Sequence, residues 1–237
     1  MDETVDGAAE AGLVAVMVLS DTPAEEARTL WEAARALAES VARRGAPVSP
    51  RPRPPLLFFT DPARTPRPWE TAARLPAGAG VVFRAFGAAD AVETGLRLRA
   101  ATRQAGAVLL VGLDAALAER IEADGVHLPE RALAAAYALS GRRPDWLLTG
   151  AAHSGEAVRR ARDLHALVLS PVFPAGGASA AKPALGIEGF AALAAAAPCP
   201  AYALGGITAG NAAALRDSGA CGLAGVEAIQ AAFRAER

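Results

Sequence analysis

A chain of 237 residues, 52% hydrophobic and with a net charge of −1, has apolar material for one large core and no charge excess with which to hold nucleic acid or an anionic membrane. Its two cysteines, Cys199 and Cys221, fit no zinc spacing and read as small buried residues. The apolar run at residues 13–19 is too short to span a bilayer, and the acidic residues before it (Asp2, Glu3, Asp6 and Glu10) are the wrong charge for a signal peptide, so a cytoplasmic protein is expected.

Residues 22–44 read as a helix. Thr22 can cap it, Pro23 suits its first position, and Leu30, Ala34, Leu37 and Val41 recur every three or four residues as an apolar stripe. Gly45 stops it, and residues 46–55, with five prolines, read as an extended linker. From residue 56 the rhythm changes. Short apolar runs at 56–60, 80–85, 107–112, 125–128, 146–150, 166–171, 201–206 and 221–226 alternate with Ala-rich helical stretches at 90–104, 115–122, 155–162, 187–197 and 211–218. Such alternation argues for βα units around a parallel sheet. Eight units make either a closed (β/α)8 TIM barrel or an open doubly wound sheet. Residues 1–50 thus form an N-terminal helical extension and 51–237 the α/β domain. The stripe is expected to dock on that domain or on a second copy of the chain, which leaves a homo-oligomer open.

Two stretches are distinctive. One is LLVGLDAALAERIEADGVHL at 109–128; the other is 167–229, containing LSPVFP, PALGIEGF, YALGGITAGNAAAL and GACGLAGVEAI. Together with FFTDP at 58–62 they resemble the thiamine phosphate synthase family and its relative thiazole tautomerase (TenI), over residues 55–237. The resemblance selects the closed barrel. It implies a role in thiamin biosynthesis or salvage and a phosphorylated small-molecule partner, a thiazole phosphate, bound against the turns after the last two or three strands. The family synthase joins a pyrimidine diphosphate to the thiazole phosphate with Mg2+. The tautomerase isomerises a carboxylated thiazole phosphate by proton transfer, and that reading requires no cofactor.

A phosphate needs converging backbone N–H groups, and glycine lets the backbone approach. Gly205, Gly206 and Ile207 end the seventh strand and Val226 the eighth, at the loops where barrels commonly hold phosphate. A glycine pair is also what a tight turn without a ligand requires. At Glu227 the family usually has Ser, and a carboxylate pointing inward there would repel a phosphate. After the sixth strand the resemblance implies Thr-x-Thr-Lys. Here Ser179 and Lys182, the chain's only lysine, offer a hydroxyl and a cation with the register lost to an inserted residue. An exposed loop lysine is the plainer alternative.

Elsewhere the implied pattern is depleted. The Asn-Asp after the third strand is Gly112-Leu113, and a second Asp falls on Ala132, leaving Asp114 and Glu130 as weak substitutes for a metal. Gln-x-Arg-x-Lys at the second strand reads Val82-Phe83-Arg84-Ala85-Phe86, so only Arg84 is kept, as a pocket cation or as part of a structural ion pair. Ser-x-His after the fifth strand reads Ala151-Ala152-His153. The tautomerase has a matching histidine placed as an acid/base, a task suited to imidazole. The alternative is that His153-Ser154 only opens a helix, with Ser154 as its cap. His127 in GVHL is either a pocket residue or structural, and His165 falls at the opposite end of the barrel. The losses favour tautomerase-like chemistry at His153. A Mg2+-dependent synthase and a non-catalytic binding or regulatory barrel stand as alternatives.

Overall fold

Each short apolar run forms a strand because its residues alternate between two buried surfaces. In the computed structural model, which describes residues 22–45, 49, 51–177 and 181–234, the strands are β1 (Leu56–Phe59), β2 (Gly80–Phe83), β3 (Val108–Gly112), β4 (Gly125–Leu128), β5 (Leu147–Ala152), β6 (Ala166–Leu169), β7 (Ala201–Leu204) and β8 (Ala220–Gly225). All pair in parallel in chain order, and β1 pairs with β8 through Leu56↔Leu223 and Phe58↔Gly225. That last pairing removes every edge, making the fold a (β/α)8 TIM barrel rather than an open sheet. Leu57, Phe59, Val82, Leu110, Val168 and Tyr202 form the barrel interior, while neighbours such as Leu56, Phe58, Val81 and Leu109 pack outward under the helices. This is the period-two alternation of a closed sheet buried on both faces.

The outer layer comprises α1 (Pro23–Arg43), α2 (Pro68–Ala72), α3 (Ala91–Ala105), α4 (Ala115–Arg120), α5 (Ala136–Arg142), α6 (Gly155–Arg160), α7 (Gly186–Ala196), α8 (Ala209–Ala212) and α9 (Glu227–Ala232). The helical stretch at 211–218 is realised as α8 and a 3-10 turn, Ala213–Leu215. A 3-10 segment at Glu130–Ala135 leads into α5. The helical stretches named from the sequence do not include that segment, α2, α5 or α9, because such short segments carry too little periodicity to separate helix from loop.

Helix α1 begins with a reciprocal capping box: Thr22 N–H donates to Glu25 Oε2 (2.8 Å), and Glu25 N–H donates to Thr22 Oγ1 (3.3 Å). Its stripe packs across β8 and against α8 and α9. The reason is geometric. Helix α9 has six residues, too few to cover the outer face of β8 and β1, and the α1 stripe fills that sector. Burying Leu30 and Leu37 there contributes about 1.5–3 kcal/mol each. The following segment is tied to the barrel floor by Tyr202 Oη–H donating to the Pro54 carbonyl (2.7 Å) and by Arg51 beside Asp124 (3.3 Å). The apolar run at 13–19 lies outside the described residues. Among those described, no helix is long and apolar enough to cross a membrane.

Candidate functional site

The C-terminal ends of β7 and β8 open onto a cleft of about 310 Å3 lined by Gly205, Gly206, Ile207, Gly225 and Val226, with Arg64, Arg84 and Glu227 at its sides. Gly205 and Gly206 have φ of +103° and +64°. A Cβ on Gly205 would lie 2.8 Å from Pro171 Cα, and one on Gly206 would lie 2.4 Å from the Pro174 carbonyl oxygen. Both the left-handed backbone and the close approach of the loop after β6 therefore demand glycine. That loop is fastened to the turn by Val172 N–H donating to the Leu204 carbonyl (2.9 Å) and Phe173 N–H to that of Gly205 (3.0 Å). Asn211 holds the turn from below: its Nδ2 donates to the Gly206 carbonyl (2.8 Å), and its Oδ1 accepts from Thr208 N–H (2.9 Å).

Opposite the turns, two guanidiniums and two carboxylates alternate. Arg84 Nε donates to the Thr60 carbonyl (2.7 Å), and its Nη2 lies 3.6 Å from Asp61 Oδ2. The guanidinium is flanked by the Phe59 and Phe86 rings, 5.5 and 5.3 Å away. Burial lowers the Arg84 pKa, Asp61 raises it and Arg64 lowers it. Nη2 is buried without a hydrogen-bond acceptor, a demand that an anion in the cleft would meet. Asp61 accepts from the backbone N–H groups of Ala63 and Arg64 and from Arg64 Nη2 (3.0 Å). Burial disfavours its ionised form, yet the Arg64 and Ala63 hydrogen bonds and the Arg64 charge outweigh that and hold its carboxyl below the usual range. Arg64 Nη1 is 3.5 Å from Glu227 Oε2, so Glu227 faces the cleft paired with a cation.

His153 lies at the end of β5, where its backbone N–H donates to Glu130 Oε2 (2.7 Å). Its Nδ1 is 2.8 Å from the Ser170 carbonyl and 3.2 Å from Ser170 Oγ. A carbonyl can only accept, so Nδ1 carries the hydrogen and, in the neutral ring, the basic lone pair falls on Nε2. His153 is not itself among the cleft-lining residues; it is joined to the cleft through Ser170, which is. Ser154 also caps α6, accepting from Ala157 N–H (3.2 Å), so the helix cap is made by Ser154 while the His153 imidazole is held by Ser170. His127 points into the barrel beneath the mouth, 2.9 Å from Thr149 Oγ1 and edge-on to Phe59, and is not among the cleft-lining residues. Burial, with the charges of Arg84 and His153, lowers its pKa to about 3, so it is a neutral floor residue. His165, at the other end, accepts from Leu148 N–H through Nδ1 (2.9 Å).

The remaining positions are placed less centrally. Lys182 is exposed and does not line the cleft. Ser179 lies outside the described residues. Asp114 caps α4, its Oδ1 accepting from Leu117 N–H (2.8 Å), and Glu130 holds His153 N–H. Among the described residues no three His, Cys, Asp or Glu side chains gather as metal ligands. Asp114 and Glu130, the substitutes that the sequence offered for a metal, each already accept from a backbone N–H. Sequence reasoning missed Arg64 and Asp61 as a pair. The only available signal was FFTDP at a strand end, and nothing in it announces contacts with Arg84 and Glu227.

A family model described as thiamine monophosphate synthase matches residues 60–229. The thiamine-phosphate synthase of Archaeoglobus fulgidus is 35% identical over 147 residues, covering 61% of this chain and 69% of that protein. That of Laribacter hongkongensis is 34% identical over 163 residues, covering 67% and 77%. Among solved structures, thiamine phosphate pyrophosphorylase from Pyrococcus furiosus superposes with a TM-score of 0.61 at 24% identity, over 75% of this chain and 91% of that one, which speaks to the fold.

Proposed function

The chain belongs to the thiamine monophosphate synthase family, and from that premise we propose that it binds a thiazole phosphate beside Gly205 and Gly206 and carries out metal-independent proton transfer of the tautomerase kind. The carrying observation is His153: Ser170 fixes its Nδ1, leaving Nε2 to take and return a proton next to a cleft shaped for an anion. The glycine turns would bind the phosphate through the backbone, and Arg84, whose Nη2 has an ionic contact with Asp61 but no hydrogen-bond acceptor, would add positive charge beside it. In this reading Asp114 and Glu130 serve as backbone anchors, and no step needs a metal.

His153→Ala is expected to lower turnover of a carboxylated thiazole phosphate about 10²- to 10⁴-fold while leaving its binding nearly intact. Unchanged turnover would remove the acid/base role. Absence of turnover in the unaltered protein, with binding retained, would favour a ligand-binding barrel.

The synthase is the second reading, supported by relatives that carry that name at 33–37% identity. Calorimetry with thiazole phosphate and with pyrimidine diphosphate, each with and without Mg2+, separates the two. Mg2+-dependent binding of the diphosphate, lost in Asp114→Ala, would establish the synthase reading; metal-independent binding of the thiazole phosphate alone supports the first.

A further inference from the structure

We propose that Arg64 is the cation that grips the ligand's phosphate, and that Glu227 occupies Arg64 in the ligand-free protein as an internal competitor that the phosphate must displace. This rests on the phosphate-binding reading of the cleft and deepens it.

Arg64 is on the loop after β1, yet it spans the mouth. Its Nη2 is 3.0 Å from Asp61 Oδ2, its Nη1 is 3.5 Å from Glu227 Oε2, and a Cβ on Gly177, in the loop after β6, would lie 2.7 Å from its guanidinium carbon. Three loops thus meet at one fork. The Asp61 side is fastened, since Asp61 also accepts from the Ala63 and Arg64 backbone N–H groups. The Glu227 side is looser: its side chain is 59% exposed against 22% for Arg64, and the pair makes an ionic contact without a hydrogen bond. A phosphate entering between the Gly205–Gly206 turn and Val226 faces the same Nη1, because Arg64 and Glu227 line that cleft together. It would replace the 3.5 Å ionic contact of Glu227 with a charge-assisted hydrogen bond from Nη1. A dianion gains more than a monoanion from Arg64 and from Arg84 beyond it, and is also repelled more by the displaced Glu227. The carboxylate at 227 therefore holds Arg64 over the cleft in the ligand-free protein and lowers the affinity of any phosphate that displaces it.

The test is titration of the full chain, by calorimetry or 31P NMR, with thiazole phosphate, inorganic phosphate at pH 8 and dimethyl phosphate, a monoanion of similar shape. Arg64→Gln is expected to weaken thiazole phosphate and inorganic phosphate about tenfold or more. Glu227→Gln is expected to tighten both several-fold and to tighten dimethyl phosphate by less. Should Arg64→Gln fail to fold, the Glu227→Gln titrations decide alone. Wild-type affinity in Arg64→Gln, or no tightening in Glu227→Gln, would overturn the proposal while leaving the cleft a phosphate site. If the unaltered chain bound neither phosphate compound, the phosphate-binding reading would fall and the role of Arg64 with it.

Discussion

At one side of the barrel mouth, the turns after β7 and β8 present backbone to the cleft: Gly205, Gly206, Ile207 and Val226 line it. At the other, the ends of β2 and β3 present Phe86 and Leu113, 71% and 46% exposed, where the family resemblance implies a lysine and an aspartate. The first side keeps its shape because it depends on φ values and close contacts that glycine alone satisfies. The second, in the family pattern, depends on side chains, which substitution can change one at a time without disturbing the barrel. A site built from backbone is thus tied to the fold, whereas one built from side chains can change while the fold persists.

The strongest way to break the comparison is to attack the backbone side. Gly206→Val forces a β-branched residue to a φ of +64° with its Cβ 2.4 Å from the Pro174 carbonyl oxygen. Strain and overpacking together should cost about 3–5 kcal/mol in denaturant unfolding and abolish phosphate binding in calorimetry. Retained binding would mean that the turn is not the phosphate contact.

The floor shared by both sides supplies the next effect. His127 has its pKa lowered to about 3, while an unfolded histidine titrates near its ordinary value of 6.5. Above that value neither state gains a proton, so the group is neutral in stability. Below it the unfolded chain binds a proton that the folded one refuses, and stability falls with pH until about 3. By pH 4 the loss is on the order of 3 kcal/mol, and urea unfolding of His127→Gln should lack that part of the acid slope. Equal slopes in the two proteins would mean that His127 accepts its proton while folded.

The smallest effect sharpens the contrast on the depleted side. Leu113 holds a φ of +67° with an exposed apolar side chain, a conformation that aspartate tolerates better than leucine. Leu113→Asp should raise stability by about 0.5–1 kcal/mol, read as a higher denaturant midpoint. A lower midpoint would show that Leu113 makes a contact worth more than its backbone strain.

The sequence by itself determined the alternation of strands and helices, while closure into a barrel rather than an open sheet came from the family resemblance and is realised in the β1–β8 pairing. Eight apolar runs separated by Ala-rich stretches, bounded by glycine, proline and capping residues such as Thr22 and Ser154, are local signals that each element carries within its own residues. The Gly205–Gly206 turn was legible for the same reason, since backbone demands are written in residue type. What only the tertiary structure decided is which distant charges meet: Arg64 with Glu227, Asp61 with Arg84, and His153 with Ser170. It also decided that Asp114 and Glu130 hold backbone N–H groups. Side-chain pairing across a closed barrel depends on register and loop path, and neither leaves a periodic trace in the chain.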